Sequence, residues 1–118
     1  MTRQTRPPVM KLVFDPQHTA ENGPALVDRR TRQSGLAELS AGFFDFPDGG
    51  EVGPWTLPYE EVLYVVRGRL SLEFDGTEVV AESGEMVSLE RGATATYKGT
   101  PGTKVVFSLV PANWQETQ

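Results

Sequence analysis

The sequence contains no cysteine and a single histidine, His18. The lack of cysteine excludes disulfide bonds, thiolate metal sites, iron–sulfur clusters and cysteine nucleophiles. A single histidine also excludes metal chemistry that depends on several imidazole ligands. No apolar run approaches the roughly 20 residues of a membrane span, and the first residues lack the apolar core of a secretory signal. We therefore expect a cytoplasmic protein without a membrane partner.

Positive charge is also scarce. Eleven basic residues oppose sixteen acidic ones, which gives a formal net charge of −5. Six of the basic residues fall within residues 1–32, so residues 33–118 alone carry a net charge of −8. An acidic domain of this kind repels polyanions, which argues against nucleic-acid binding and favours a neutral or cationic small-molecule ligand.

The length of 118 residues fits one domain. Residues 1–9 are polar, basic and rich in proline, and we expect them to form a flexible arm before a single domain at residues 10–118. A basic cluster at residues 28–33 (Asp-Arg-Arg-Thr-Arg-Gln) raises the possibility of an anion site. Because neither a glycine-rich loop nor a helix start stands beside it, a solvated edge or a dimer rim is the favoured interpretation.

What the chain does contain is a series of short segments with the alternation of β-strands. Twelve glycines and nine prolines favour many turns, and Asp75-Gly76 is typical of a two-residue hairpin. The run at residues 62–66 is typical of a strand buried on both faces, whereas residues 20–24 indicate a loop. So many strands in so short a chain predict an all-β sandwich or barrel. The expected strands are residues 36–46, 61–67, 69–75, 77–81, 85–89, 93–98 and 104–110.

Two sets of spaced residues resemble the signatures of the cupin superfamily. Glu61 is followed after six residues by Gly68, as at the end of the first signature. Gly84, Glu90 and Gly92 match the second, with Glu90 where the family usually has proline. The resemblance covers residues 36–111 and implies a cupin jelly-roll β-barrel with a cavity open at one end. It also implies a homodimer formed through a strand edge.

The same alignment lacks the metal ligands of typical cupins. The positions of two histidines fall at Trp55 and Leu57, or one residue earlier, and that of the third falls at Ala95. Only the carboxylate, Glu61, is kept, and transition-metal sites need three or four donors. We therefore expect neither a metal nor another cofactor.

A narrower resemblance extends into the C-terminal part. Residues 60–65 (Glu-Glu-Val-Leu-Tyr-Val), 84–87 (Gly-Glu-Met-Val) and 110–114 (Val-Pro-Ala-Asn-Trp) are similar to the cupin domain of the ethanolamine-utilisation protein EutQ and its short stand-alone relatives. This resemblance implies an acetate kinase activity. The residues themselves give it little support, because there is no phosphate-binding glycine-rich loop and no Lys or Arg of the cupin signatures is expected to face inward.

Period two and the cupin alignment together define an apolar, aromatic cavity with one acid. Burial would raise the pKa of Glu61 and make it a general acid or base, or Glu61 is a buried carboxylate satisfied by backbone N–H groups or a tyrosine hydroxyl. Trp55 is expected to stack on a ring or an ammonium group, or simply to fill the core. The catalytic candidates are Glu61, Tyr59 and Tyr97, and the ligand-binding candidates are Trp55, Leu57, Leu63, Ala95 and, if its face is the inner one, Asp45.

Three functions remain open from the sequence. The favoured one is a metal-free cupin that binds a small neutral or cationic metabolite, with acid–base catalysis by Glu61. The alternatives are the acetate kinase activity implied by the resemblance and a non-catalytic structural or interaction subunit that uses the arginine-rich N-terminal part.

Overall fold

The computed structural model describes residues 7–117 and folds them into ten strands and three short 3₁₀ helices. None of the helices in this part of the chain has the length and apolar character needed to cross a membrane. Most of the arm predicted for residues 1–9 lies outside the described residues. The strands are β1 (Thr19–Asn22), β2 (Ala25–Asp28), β3 (Ser40–Phe46), β4 (Gly50–Thr56), β5 (Glu60–Arg67), β6 (Arg69–Phe74), β7 (Thr77–Glu82), β8 (Met86–Leu89), β9 (Thr94–Gly99) and β10 (Thr103–Val110).

The strands form two antiparallel sheets. The larger sheet has the order β1-β2-β3-β10-β5-β8 and the smaller one has the order β4-β9-β6-β7. Side chains from both sheets meet between them, as they do when the inner faces of a sandwich pack together. This arrangement confirms the predicted all-β jelly roll. The most deeply buried apolar side chains are Phe46, Leu57, Leu63, Val65, Leu70 and Val105.

Strand β5 is buried on one face only, so the prediction that it is buried on both is wrong. Its inner residues alternate with Val62, Tyr64 and Val66, which are 39%, 39% and 40% exposed. The apolar run is misleading because only one face of the larger sheet is covered by the smaller sheet. The homodimer expected from the resemblance stays a prediction.

Strand β3 begins at Ser40 and not at residue 36, and its inner face holds Phe44 and Phe46. Phe43 therefore lies on the outer face, where Lys104 Nζ sits 4.6 Å from its ring centroid. Asp45 shares that outer face and pairs with Lys104 at 3.5 Å. An aromatic residue is tolerated on the outer face because cationic side chains cover it.

The N-terminal strands form a hairpin where the sequence indicates a loop. β1 and β2 pair from Thr19 and Asp28 to Asn22 and Ala25, and β2 then pairs with β3. After β2 the chain enters the second 3₁₀ helix, Arg30–Gln33. The hairpin extends the larger sheet at its β3 edge, and together with this helix it forms one side of the candidate site.

Candidate ligand-binding site

A cavity of about 660 Å³ lies between the two sheets. Its wall on the larger sheet includes Phe44 and Phe107, and its wall on the smaller sheet includes Val52 and Tyr97. This size is typical of small-molecule sites, which are mostly apolar with a few polar groups. The polar groups here include those of Tyr59, Glu61 and Tyr97 and of residues in the segment after β2.

Glu61 is the acid of this cavity. It is an inner residue of β5 and is only 7% exposed. The Tyr97 hydroxyl on β9 donates a hydrogen bond to Glu61 Oε1 at 2.8 Å, so the two sheets are joined across the cavity. Burial raises the pKa of Glu61 to about 7, although the Tyr97 hydrogen bond acts in the opposite direction.

This arrangement is compatible with both interpretations of Glu61. A tyrosine hydroxyl satisfies Oε1, and the carboxyl group still changes protonation close to neutral pH. Within residues 7–117, no group donates a hydrogen bond to Oε2. Every buried polar side-chain atom of these residues has a hydrogen-bond partner. Because Oε2 has none, it is not fully buried and keeps access to the cavity. Oε2 is therefore the oxygen of Glu61 that stays accessible from the cavity.

Tyr59 and Tyr97 both stay protonated near neutral pH. Burial, and then the nearby charge of Glu61, raises the pKa of Tyr59 to about 12. Burial raises the pKa of Tyr97 further above its ordinary range, and the Glu61 carboxylate adds to this effect. At neutral pH both hydroxyls are hydrogen-bond donors and acceptors and are not bases.

The hydrogen bond between Tyr97 and Glu61 can be tested by removing the hydroxyl group. Tyr97→Phe takes away the one interaction that lowers the pKa of Glu61, so we expect this pKa to rise above about 7. Carboxyl-carbon NMR titration of Glu61 measures it. Tyr64→Phe is the control, because it removes a hydroxyl from the outer face of β5, the strand that carries Glu61. An unchanged or lower value in Tyr97→Phe would contradict this assignment.

Aromatic side chains close one side of the cavity. Trp55 Nε1 donates a hydrogen bond to the Tyr59 hydroxyl at 3.1 Å. Trp114 packs edge-on against both, with ring centroids 5.8 Å from Trp55 and 5.2 Å from Tyr59. Trp55 is 37% exposed, so it borders the cavity and does not fill the core. Trp114 is a member of the site that sequence analysis left out, and its place in the Pro-Ala-Asn-Trp segment was the available signal.

The remaining predicted site residues lie elsewhere. Leu57, Leu63 and Ala95 are buried in the core between the sheets and are not part of the cavity wall. Asp45 does not face the cavity, and the suggestion that it adds a second acid is wrong. Gly42, Phe44 and Phe46 form the inner face of β3. Asp45 therefore lies on the outer face, beside Lys104.

Arg29 and Arg32 also line the cavity, which sequence analysis did not anticipate. Burial, followed by the positive charge of Arg32, lowers the pKa of Arg29, and the proximity of Tyr59 partly offsets this effect. A guanidinium group nevertheless remains protonated at neutral pH. The basic cluster at residues 28–33 was the signal, but its favoured interpretation was a solvated edge or a dimer rim.

The residues present do not fit a metal ion. Over the described part of the chain, no three His, Cys, Asp or Glu side chains are grouped closely enough to hold one. Glu61 supplies a single carboxylate, and its Oε1 is already occupied by Tyr97. Side chains of the kind that bind divalent ions through three or four donors are not assembled here.

A jelly roll of two antiparallel sheets with a cavity between them, and a glutamate of the first cupin signature inside it, defines a cupin. An RmlC-like cupin from Shewanella frigidimarina has the same fold, with a TM-score of 0.71 and 20% identity over 88% of this chain and 93% of that one. The EutQ protein of Clostridium difficile aligns with a TM-score of 0.66 and 23% identity over 87% of this chain and 83% of its own.

Residues 21–116 match the family described as ethanolamine utilisation protein EutQ, and the chain belongs to this family. A curated relative, acetate kinase EutQ of Salmonella typhimurium, is 36% identical over 92 residues. The match covers 76% of this chain and 38% of that protein. The chain thus spans well under half of the relative.

Proposed function

We propose that this EutQ-family cupin binds a small metabolite in its cavity and that Glu61 exchanges a proton with it. One observation carries the proposal: the carboxyl group of Glu61 lines a cavity of about 660 Å³ and is oriented there by Tyr97. A cavity of this volume takes a compact organic molecule and leaves little room for a polymer.

The acid–base role follows from the protonation states. With a pKa of about 7, Glu61 is divided between its acid and its base form at neutral pH, which is the condition that favours proton transfer in both directions. Tyr97 holds Oε1, which leaves Oε2 for the ligand. Tyr59, which stays protonated, is a donor for an oxygen or nitrogen of the ligand.

The two tryptophans make the proposal straightforward to test, because both line the cavity and the chain has no others. Ethanolamine, acetaldehyde and acetate represent a cationic, a neutral and an anionic ligand of similar size. We expect at least one of them to change the tryptophan fluorescence and raise the melting temperature. Its affinity should change as the pH passes through about 7, and this dependence should disappear in Glu61→Gln.

Matched controls separate the cavity from the surface. Glu60→Gln removes the neighbouring, exposed acid and should keep the wild-type pH dependence of binding. If none of the three ligands affects fluorescence or melting, small-molecule binding of this kind is contradicted. If one binds with the same pH dependence in Glu61→Gln, the cavity is a binding site but Glu61 is not its acid–base group.

The second candidate is the phosphoryl transfer named in the curated relatives. Its support is family membership together with the two arginines in the cavity, since cationic groups stabilise a transferring phosphoryl group. The reaction is easiest to follow in the direction of ATP formation, in which the phosphoryl group of acetyl phosphate passes to ADP and gives acetate and ATP. A luciferase assay for ATP tests it: production that is lost in Arg29→Gln and Arg32→Gln would favour this candidate over simple binding.

A further inference from the structure

The three arginines of the segment after β2, Arg29, Arg30 and Arg32, have different surroundings. Arg30 pairs with Asp28, with Nη2 2.6 Å from Oδ2, and donates to the Leu12 carbonyl at 3.3 Å. Its guanidinium carbon also lies 4.9 Å from the centroid of the Phe43 ring on the outer face. Arg30 therefore has a structural role, and Asp28, which is 8% exposed, is neutralised by it.

Arg29 and Arg32 lie on the other side of this segment, in the cavity wall. Of the carboxylates the structure describes, none is within 4 Å of either guanidinium group. The two positive charges are also close enough for Arg32 to disfavour the protonated form of Arg29. Arg29 is partly buried and Arg32 is exposed, so the repulsion between their two positive charges, with no described counter-ion, favours an anion that binds to both.

The backbone that carries these side chains is held in place. The Thr31 hydroxyl accepts a hydrogen bond from the backbone N–H of Ala41 at 3.0 Å, and Ser34 N–H donates to the Thr31 carbonyl at 2.9 Å. Gln33 donates to the Val13 carbonyl. A segment fixed in this way loses little conformational entropy when its side chains bind a ligand.

We propose that Arg29 and Arg32 bind an oxyanion group, a carboxylate or a phosphate, of the molecule that occupies the cavity. The inference rests on the proposed binding function and specifies its ligand class: a small organic anion whose apolar part lies against Trp55, Trp114 and Tyr59. Guanidinium groups suit this task because their planar N–H donors match the oxygens of carboxylates and phosphates. Glu61 then faces the same ligand from the start of β5.

This ligand differs in charge from the one expected from composition. The net charge of −8 belongs to residues 33–118, whereas both guanidinium groups of the cavity come from residues 29 and 32. Exposed acids that lie further than about 8 Å from the cavity are largely screened at physiological ionic strength. Among the described residues, the cavity wall holds two guanidinium groups and one carboxyl group, that of Glu61, so its net charge is positive and favours an anionic ligand.

The test compares ligands that share one ring and differ in the group attached to it. Benzoate, phenyl phosphate and benzamide carry a carboxylate, a phosphate and a neutral amide, and calorimetry measures their affinities. We expect at least one of the two anions to bind about tenfold or more tightly than benzamide, since hydrogen bonds to charged groups are the strong ones. The better anion identifies the head group. Inorganic phosphate, compared with chloride at equal ionic strength, should raise the melting temperature.

Variants assign the effect to the two side chains. Arg29→Gln and Arg32→Gln should each weaken anion binding about tenfold or more and leave benzamide binding unchanged. Arg91→Gln removes an exposed positive charge from the turn between β8 and β9 and should leave all affinities unchanged.

The outcomes distinguish this inference from the function on which it rests. Benzamide binding as tightly as both anions would overturn the oxyanion site and leave small-molecule binding intact. Anion binding that survives in the double variant of Arg29 and Arg32 would overturn the assignment to these residues. No binding by any of the three ring compounds, together with no effect of phosphate, would overturn the inference and weaken the proposed function as well.

Discussion

Gly42→Ala is expected to destabilise the protein by about 3 kcal/mol or more, because the added methyl group has no space. Gly42 is buried in β3, and a Cβ at this position would overlap the carbonyl oxygen of Asp28 and lie 3.0 Å from the backbone nitrogen of Arg30. Both neighbours are backbone atoms, which a rotamer change cannot move away. The end of β2 must therefore shift, and the ion pair of Asp28 with Arg30 shifts with it.

Chemical unfolding of Gly42→Ala measures this cost, and Gly76→Ala is the control. Gly76 has a φ of 72° in the β6–β7 hairpin, and nothing lies within 4 Å of the position of its Cβ. Its replacement costs only the left-handed backbone conformation, about 1–2 kcal/mol. We also expect Gly42→Ala, and not Gly76→Ala, to weaken binding in the cavity, because Arg29 directly follows Asp28. Equal stability of the two variants would show that the segment after β2 is not held closely against β3.

Much of the fold could be predicted because several strands follow simple local rules. β6 alternates cleanly and leads into the Asp75-Gly76 turn, so both β6 and β7 are found within one residue of the expected bounds. β4 was missed as a separate strand because Gly50, Gly53 and Pro54 weaken its pattern. Its pairing with β9 indeed shifts register between Val52 and Trp55.

The orientation of β3 could not be predicted because its two faces are almost equally apolar. Phe43 lies on one face and Phe44 and Phe46 on the other, so period two does not show which is buried. Contacts far apart in the sequence decide it: Lys104 covers the Phe43 ring, and the ring of Phe44 packs edge-on against Tyr97 with centroids 6.1 Å apart. The place of Asp45 outside the cavity follows from the same contacts.

Contacts far apart in the sequence also limit what could be predicted of the candidate site. Glu61 and Tyr97 could be predicted, since each lies on a strand with a recognisable pattern and a cupin signature nearby. Arg29 and Arg32 reach the cavity only because β2 pairs with β3, an arrangement that no local pattern in residues 20–35 indicates. The position of residues that depend on such long-range pairing cannot be predicted from composition and spacing alone.

Glu61→Gln is expected to make the protein more stable than the wild type above pH 7. The pKa of Glu61 is about 7 in the folded protein, compared with 4.5 for the ordinary side chain. The folded state therefore binds the proton more tightly than the unfolded state. Stability from this group is fully present below about pH 4.5 and is lost as the pH rises through about 7. The total loss is about 3 kcal/mol, which is the free energy that corresponds to this change in pKa.

The glutamine amide of this variant still offers a carbonyl oxygen to the Tyr97 hydroxyl, and it carries no charge that burial can penalise. Urea unfolding at pH 5 and pH 8 gives the free energies of unfolding, and the difference between variant and wild type isolates this one group from all others that titrate. That difference should shift in favour of Glu61→Gln by about 2–3 kcal/mol between the two pH values, which span most of the titration.

Glu60→Gln removes an exposed carboxylate next to Glu61 and should follow the wild-type curve, since an exposed side chain keeps its hydration on folding. Parallel curves for Glu61→Gln and the wild type would mean that the carboxyl of Glu61 is ionised at little cost in the folded protein. In that case its position in the cavity would no longer make it an acid–base group near neutral pH. The stability measurement therefore tests the chemistry of the site without any ligand.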